Sequence, residues 1–308
     1  RPGPGPGGPQ RQRSGEEALM PRTIGNPFSW TVQHLGAAGR HASANVEHFG
    51  GDRTMAAARP HIRDIGLSDL REALRLGARD TAYFRADVLF VILLYPIMGI
   101  VLALVAFQRD LLPMLFPLAS GFALVGPVAA LGLYEMSRRR EAGQPTGWSD
   151  AFAVLRAPSL GAILLLSLYF VALFFFWLLT ADMIYEATLG PGAPASVGAF
   201  LADTFTTAAG WTMIAAGLAA GFVFAAVALA VGLVSFPLLL DRDVGVPTAI
   251  VTSVRVTLHN PRTVAVWGLI VAALLVLGTL PAFLGLILVL PVLGHGTWHL
   301  YRRAVAWD

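Results

Sequence analysis

Long uncharged apolar runs constrain this chain more than any other feature. The stretch LGAILLLSLYFVALFFFWLLT (160–180) carries no charge and is about as long as a bilayer core demands of a helix, roughly 20 residues. Six such runs occur: Val88–Phe107, Leu111–Tyr134, Leu160–Thr180, Trp211–Leu240, Val264–Leu280 and Phe283–Leu300. Only 13% of residues are charged, where a soluble domain carries about 25%. The expected fold is therefore all-α: a polytopic membrane protein of six transmembrane helices. The fourth run, at about thirty residues, is too long for an upright span. It must tilt, project into the cytoplasm or bend near Pro237. The fifth is the shortest, and Pro281 marks a tight hairpin to the sixth.

Orientation follows from arginine, because all 22 basic residues are Arg. In the six-span arrangement, 21 of them fall on one side and Arg109 alone on the other. Without the long N-terminal region the short-loop bias is still 9 to 1. The positive-inside rule then places both termini in the cytoplasm. The loop 181–210 is Arg-free and acidic, with Asp182, Glu186 and Asp203, which suits the opposite side. The isoelectric point near 9.7 is explained by this asymmetry, so no nucleic-acid partner is expected. Absence of Cys and Lys removes disulfides, thiolate chemistry, Schiff-base lysines and the phosphate-loop lysine.

Two domains are expected: a disordered cytoplasmic N-terminal region (1–60) and a six-span membrane domain (61–308). Residues 1–19 are Pro/Gly-rich and polar, and cannot bury a core. Met20 follows them, so 1–19 read as native disorder, a vector remnant or an over-long gene reading. Over 24–35, Ile24, Phe28, Val32 and Leu35 share a helical face, as a surface-lying helix or a floppy arm with scattered apolar residues. Residues 39–60 read as linker. Over 67–80, Leu67, Leu70 and Leu74 mark an amphipathic helix with Ser68 or Asp69 as N-cap.

The loop after the second run is repeated after the fourth. Arg140, Glu141, Gly143, Pro145 and Thr146 match Arg242, Asp243, Gly245, Pro247 and Thr248 at one offset, 102. Each copy reads as a turn, an amphipathic segment and a Pro opening the next span. Trp148, Phe152 and Leu155 form the apolar stripe of the first copy, and Ile250, Val254 and Leu258 that of the second. A weaker third copy places Ser68-Asp69 and Leu74-Arg75 where the first has Ser149-Asp150 and Leu155-Arg156. Amphipathic cytoplasmic helices are thus expected before spans one, three and five.

The spans hold almost no ionisable residue; Asp87, Glu135, Asp182, Glu186 and Asp241 all fall at ends. That argues against an ion-coupled pump, which carries such groups inside the membrane. Gly217 and Gly221 form a GxxxG step suited to close helix approach. The polar foci lie at the cytoplasmic elbows: Arg138, Arg139, Arg140 and Glu141, then Asp241, Arg242 and Asp243. They are candidates for docking a partner or contacting lipid headgroups, against plain topology determination. His295 and His299, at i and i+4, are weak metal or haem candidates, with His259 as a third ligand. The alternative is an interfacial belt of His, Trp298, Tyr301, Arg302 and Arg303. No nucleophile–base pair, phosphate loop or dinucleotide fingerprint occurs.

The segments LVGPVAALGLYEMSRRREAG (124–143), VSFPLLLDRDVGVPTAIVTSVRVT (234–257) and PVLGHGTWHLYRRAV (291–305) resemble a bacterial, alphaproteobacterial family of predicted integral membrane proteins, domain of unknown function 2189. The resemblance runs from about Ile65 to Arg303, and TIGNPFSW (23–30) resembles the start of such proteins. It implies a multi-pass inner-membrane protein and supplies no activity. Some members carry a label related to cytochrome c oxidase subunit I. A haem–copper subunit needs about six His ligands in its spans, and here only His259, His295 and His299 lie in the membrane half. The expectation is a non-catalytic scaffold or accessory subunit of a membrane complex, such as a respiratory oxidase, with no cofactor. Its partners are membrane lipids and a membrane protein or further copies of itself. A transporter or lipid-handling protein, and a haem- or metal-binding membrane protein, are the alternatives.

Overall fold

Each apolar run has to satisfy its own backbone hydrogen bonds, and the computed structural model meets that demand with helices. It describes residues 60–84, 109–281 and 284–307, together with Gly3. The expected first span, the helix over 24–35, and the residues 1–19 and 39–59 lie outside this set, Gly3 excepted. All described residues but Gly3 belong to one compact unit, Asn45–Asp308.

In chain order the elements are β1 (His61–Ile62), α1 (Leu67–Tyr83), a 3-10 segment (Arg109–Met114), α2 (Leu115–Leu124), α3 (Gly126–Ala129) and α4 (Leu131–Glu141). A second 3-10 segment (Trp148–Arg156) follows. Then come α5 (Leu160–Thr188), α6 (Val197–Thr206), α7 (Ala208–Asp241), α8 (Val246–His259), α9 (Pro261–Thr279), α10 (Leu286–Ala304) and β2 (Val305–Ala306).

Among the described residues three helices are long and apolar enough to cross a membrane: α5, α7 and α9. They answer to the expected third, fourth and fifth spans. The second run is not one helix. It is divided at Val125 and Ala130 into α2, α3 and α4, where Pro127 lacks an N–H and its ring crowds the preceding turn. The sixth is shifted to Leu286–Ala304 and ends in polar residues. Its His and Arg residues make it too polar to be among the three, and its second half is buried in protein, through His295, Trp298, Leu300, Tyr301 and Ala304.

The long fourth run becomes a single 34-residue helix that continues through Pro237. At 1.5 Å per residue it is about 51 Å long, against roughly 30 Å of hydrocarbon. Burial shows where the excess goes. Trp211, Leu218, Phe222 and Val223 are exposed, as side chains facing lipid would be, whereas every residue from Val231 to Leu240 is buried. The last turns of α7 are therefore covered on all sides by protein, against α4, α8 and α10. The core centres there, with Phe236 edge-on to Phe170 and Trp267, Trp298, Tyr134 and Tyr301 fully enclosed.

The segments before the spans differ in kind. α1 buries Leu70, Ala73, Gly77 and Asp80; of the expected stripe Leu70 is buried, Leu74 packs partly buried against the core, and Leu67 alone is exposed. Its N-cap is Gly66, not Ser68 or Asp69; the Asp69 carboxylate accepts the Gly66 N–H at 2.9 Å. The first elbow is a 3-10 segment with the same device, Asp150 accepting the Gly147 N–H at 2.8 Å. The second elbow is the regular helix α8. Gly143 and Gly245, which match at the sequence offset of 102, both take positive φ, 69° and 75°, a region open to glycine at little cost.

The tail closes back on the start. β1 and β2 pair antiparallel, His61 opposite Ala306 and Ile62 opposite Val305. Asn260 and Thr263, at the α8–α9 junction, hold the irregular segment that follows β1. Ile65 N–H donates to Asn260 Oδ1 at 2.9 Å, Asn260 Nδ2 donates to the Arg63 carbonyl at 3.1 Å, and Thr263 Oγ1 donates to the Ile65 carbonyl at 2.8 Å.

Candidate functional site

Glycine sets how closely α1, α4 and α10 approach. A Cβ on Gly77 would lie 2.5 Å from the Val292 carbonyl oxygen and 2.7 Å from the Gly296 nitrogen. One on Gly294 would lie 2.5 Å from Leu133 Cδ1. With backbone against backbone, the polar side chains of three helices meet in the interior: Asp80 from α1, Ser137 and Arg140 from α4, and His295 and His299 from α10. Asp80 is 5% exposed, Ser137 1% and His295 0%.

The carboxylate of Asp80 is the hub. Its Oδ2 accepts from Ser137 Oγ at 2.6 Å and from His299 Nε2 at 2.8 Å, and its Oδ1 accepts from Arg140 Nη1 at 2.6 Å. Ser137 Oγ also lies 2.8 Å from His295 Nδ1. Because the serine hydrogen goes to the carboxylate, His295 Nδ1 is the donor in that contact. The His295 ring stacks on Phe84, 5.6 Å between centroids, and the Arg140 guanidinium sits 4.1 Å over the Tyr83 ring. Burial pushes the Asp80 carboxyl up. The hydrogen bonds from His299 and Ser137, with the nearby charges of His295 and His299, outweigh it and hold the group below the usual carboxylate range.

This order of bonds is not that of a nucleophilic triad. There the serine donates to an imidazole that in turn donates to the acid; here the serine donates directly to the acid. The arrangement stores one negative charge among several donors and ties three helices together. Among the described residues no group of three or more His, Asp or Glu is disposed to hold a metal ion. His259, weighed above as a third ligand, instead faces Asp64 at 2.8 Å.

The residues singled out in the sequence surround this hub. Arg138 and Arg139 both turn to the buried Glu135, at 2.7 and 3.1 Å, and Arg139 also pairs with Asp150. Arg140 joins Asp80. Glu141 accepts from Trp298 Nε1 and Arg302 Nε, both at 3.0 Å, and Asp241 accepts from Tyr301 Oη at 2.7 Å and Arg302 Nη1 at 3.4 Å. Glu141 and Asp241, from the two elbows, thus meet on one arginine. Arg242 is exposed and lies over Trp307, 5.7 Å from its ring. Asp243 keeps a buried Oδ1 with no hydrogen-bond partner among the described residues. Arg303 pairs with Asp69 at 2.8 Å, and the Gly66 N–H, then Arg303, hold the Asp69 carboxyl below its ordinary value against burial.

His295, Trp298 and Tyr301 do not form an interfacial belt: each is at most 1% exposed and lies inside protein. Asp80, Ser137 and Glu135 had no part in the sequence reading of the site. For Asp80 a signal existed, since it continues the small and apolar face Leu70, Ala73 and Gly77 at helical spacing.

Long apolar helices with outward Leu, Phe and Val, and polar groups gathered at one buried cluster, define the class: the chain is an integral membrane protein with several apolar helices. Residues 115–241 match the family described as predicted integral membrane protein (DUF2189). That stretch contains the first of the three resembling segments whole, the opening of the second and none of the third. No curated protein and no solved structure matches the chain.

Proposed function

We propose that the chain is a non-catalytic, multi-pass inner-membrane protein with six spans and cytoplasmic termini, serving as a scaffold or accessory subunit of a larger membrane complex. A respiratory oxidase is one such complex. The observation that carries this reading is the commitment of Asp80. A carboxylate that acts on a substrate, or ferries an ion, has to exchange partners. Asp80 is held by three protein donors, Ser137, Arg140 and His299, that fix the helices instead. Arg138, Arg139, Glu141 and Asp241 are likewise paired within the chain. What remains for function is surface: an apolar belt on α5, α7 and α9 and the flanks of a rigid polar head.

Purification in mild detergent, with mass spectrometry of what accompanies the chain, tests the proposal. A membrane protein retained at fixed stoichiometry is the expected result. A chain that purifies alone and moves a solute or lipid across reconstituted vesicles overturns it in favour of the transporter reading.

A further inference from the structure

The orientation of α8 is fixed by one side chain. Ser253 is fully buried; its Oγ accepts the Val234 N–H at 3.1 Å and donates to the Ala230 carbonyl at 2.7 Å. Those are the N–H and C=O that face each other at i and i−4 in α7, so Ser253 bridges one turn of that helix. Ala249, Thr252 and Val256 are buried on the same side. At 100° per residue, Val251, Arg255 and Leu258 then lie opposite, and all three are exposed, Leu258 at 73%.

The next helix, α9, has an exposed face of its own. Along α9 the exposed positions Arg262, Ala265, Leu269, Val276 and Leu280 recur at spacings of three, four and seven, with Leu269, Val276 and Leu280 all well exposed. Above Arg262 the stripe is apolar throughout, and α9, at 19 residues, is about 28 Å long, close to the bilayer core. Acyl chains are what such a stripe fits, and its base is at headgroup level.

Along the chain, Arg255 and Arg262 flank the exposed Leu258, and Arg262 opens the α9 stripe. Unlike Arg138, Arg139, Arg140, Arg302 and Arg303, they have no carboxylate partner among the described residues. We propose that the outer face of α8, together with Arg262, binds the headgroups of anionic phospholipids in the adjoining leaflet. The two guanidinium groups meet phosphate oxygens, with Val251 and Leu258 resting among the upper acyl carbons. This surface is separate from the buried Asp80 hub and independent of any protein partner.

The test uses the full chain in vesicles of phosphatidylcholine containing phosphatidylglycerol, and reads the association of spin-labelled phosphatidylglycerol against spin-labelled phosphatidylcholine. The wild type is expected to prefer the anionic lipid several-fold at low salt. R255Q/R262Q should reduce that preference by roughly twofold or more, with an unchanged melting temperature. R75Q, which removes an exposed arginine paired with Glu72, should not. An undiminished preference in a folded R255Q/R262Q chain, or no preference in the wild type, overturns the proposal. If the double variant does not fold, the wild type decides: at 1 M salt, where charges are screened beyond about 3 Å, a preference that persists undiminished overturns it and one that collapses supports it.

Discussion

Asp80 concentrates the energetics of the head in one side chain. Removing one member of a buried charged pair costs about 3–5 kcal/mol, because the other is left enclosed without compensation. Asp80→Asn takes the carboxylate from Arg140, whose side chain is about a third exposed, so a loss toward the lower end of that range, about 3 kcal/mol, is expected in detergent, read by thermal unfolding. Ser137→Ala removes two hydrogen bonds, one to Asp80 and one from His295, and about 1–3 kcal/mol is expected; the two effects should not add, since both act on the Asp80 carboxylate. The direction of the Asp80 shift also predicts a pH dependence. Its carboxyl is held below the ordinary Asp value of about 3.9. The stability it contributes is fully present above that pH and is lost as pH falls through the lower folded value. The melting temperature of the wild type should therefore fall more steeply below about pH 4 than that of Asp80→Asn; parallel curves would remove the hub role.

Between elements, the decisive contacts are made by small residues. Gly77 brings the backbone of α1 onto that of α10, so Gly77→Ala sets a methyl 2.5 Å from a carbonyl oxygen that no rotamer can move. Overpacking of this kind costs about 1–3 kcal/mol or more. Gly126→Ala meets nothing within 4 Å and is the matching control, expected to melt as the wild type does. The GxxxG step works differently from its usual role. Gly221 seats the edge of Trp177, with its absent Cβ 3.3 Å from the ring, and Gly217 faces open space; the step receives an indole, not a second backbone. At the α7–α8 contact, Ser253→Ala should cost only about 1 kcal/mol, because Val234 N–H and Ala230 C=O stand at i and i−4 and can satisfy each other within α7. Each of these three variants is checked by the same melting experiment, and a Gly77→Ala chain as stable as Gly126→Ala would contradict the close approach.

For the molecule as a whole, the arginine bias and the burial of the lower part of α7 point the same way: a polar head on one side of an apolar belt. Reporter fusions at the exposed turns Gly143 and Gly192 are expected to give opposite signals, cytoplasmic at Gly143. Like signals from both would require an even number of crossings between them, in conflict with α5 as one continuous 29-residue helix. The head is also closed by its tail. Deleting residues 305–308 removes the β1–β2 pairing and should expose the segment before α1 to protease while leaving α5 protected.

The apolar runs, their helical state and their charge asymmetry were legible because a bilayer enforces them locally: a segment in lipid has to bond its own backbone, whatever the rest of the chain does. Leu160–Thr180 and Trp211–Leu240 could thus be read from composition, and so could the excess length of the latter. The elbow residues were legible as polar foci, but not their role. Arg140 stood in a run of three like charges, and nothing in that run told which would turn inward to Asp80 and which to Glu135. The partners of Asp80 are 57 to 219 residues away along the chain. They meet only because Gly77, Gly294 and Gly296 let three helices close on one another. For the same reason His295, Trp298 and Tyr301 read as a headgroup belt: their amphipathic chemistry suits both a membrane surface and a buried, hydrogen-bonded core. Local sequence determined that this chain enters a membrane as helices; the crossing of α1, α4 and α10 decided which polar groups were drawn inside, because only packed neighbours can offset the cost of burying them.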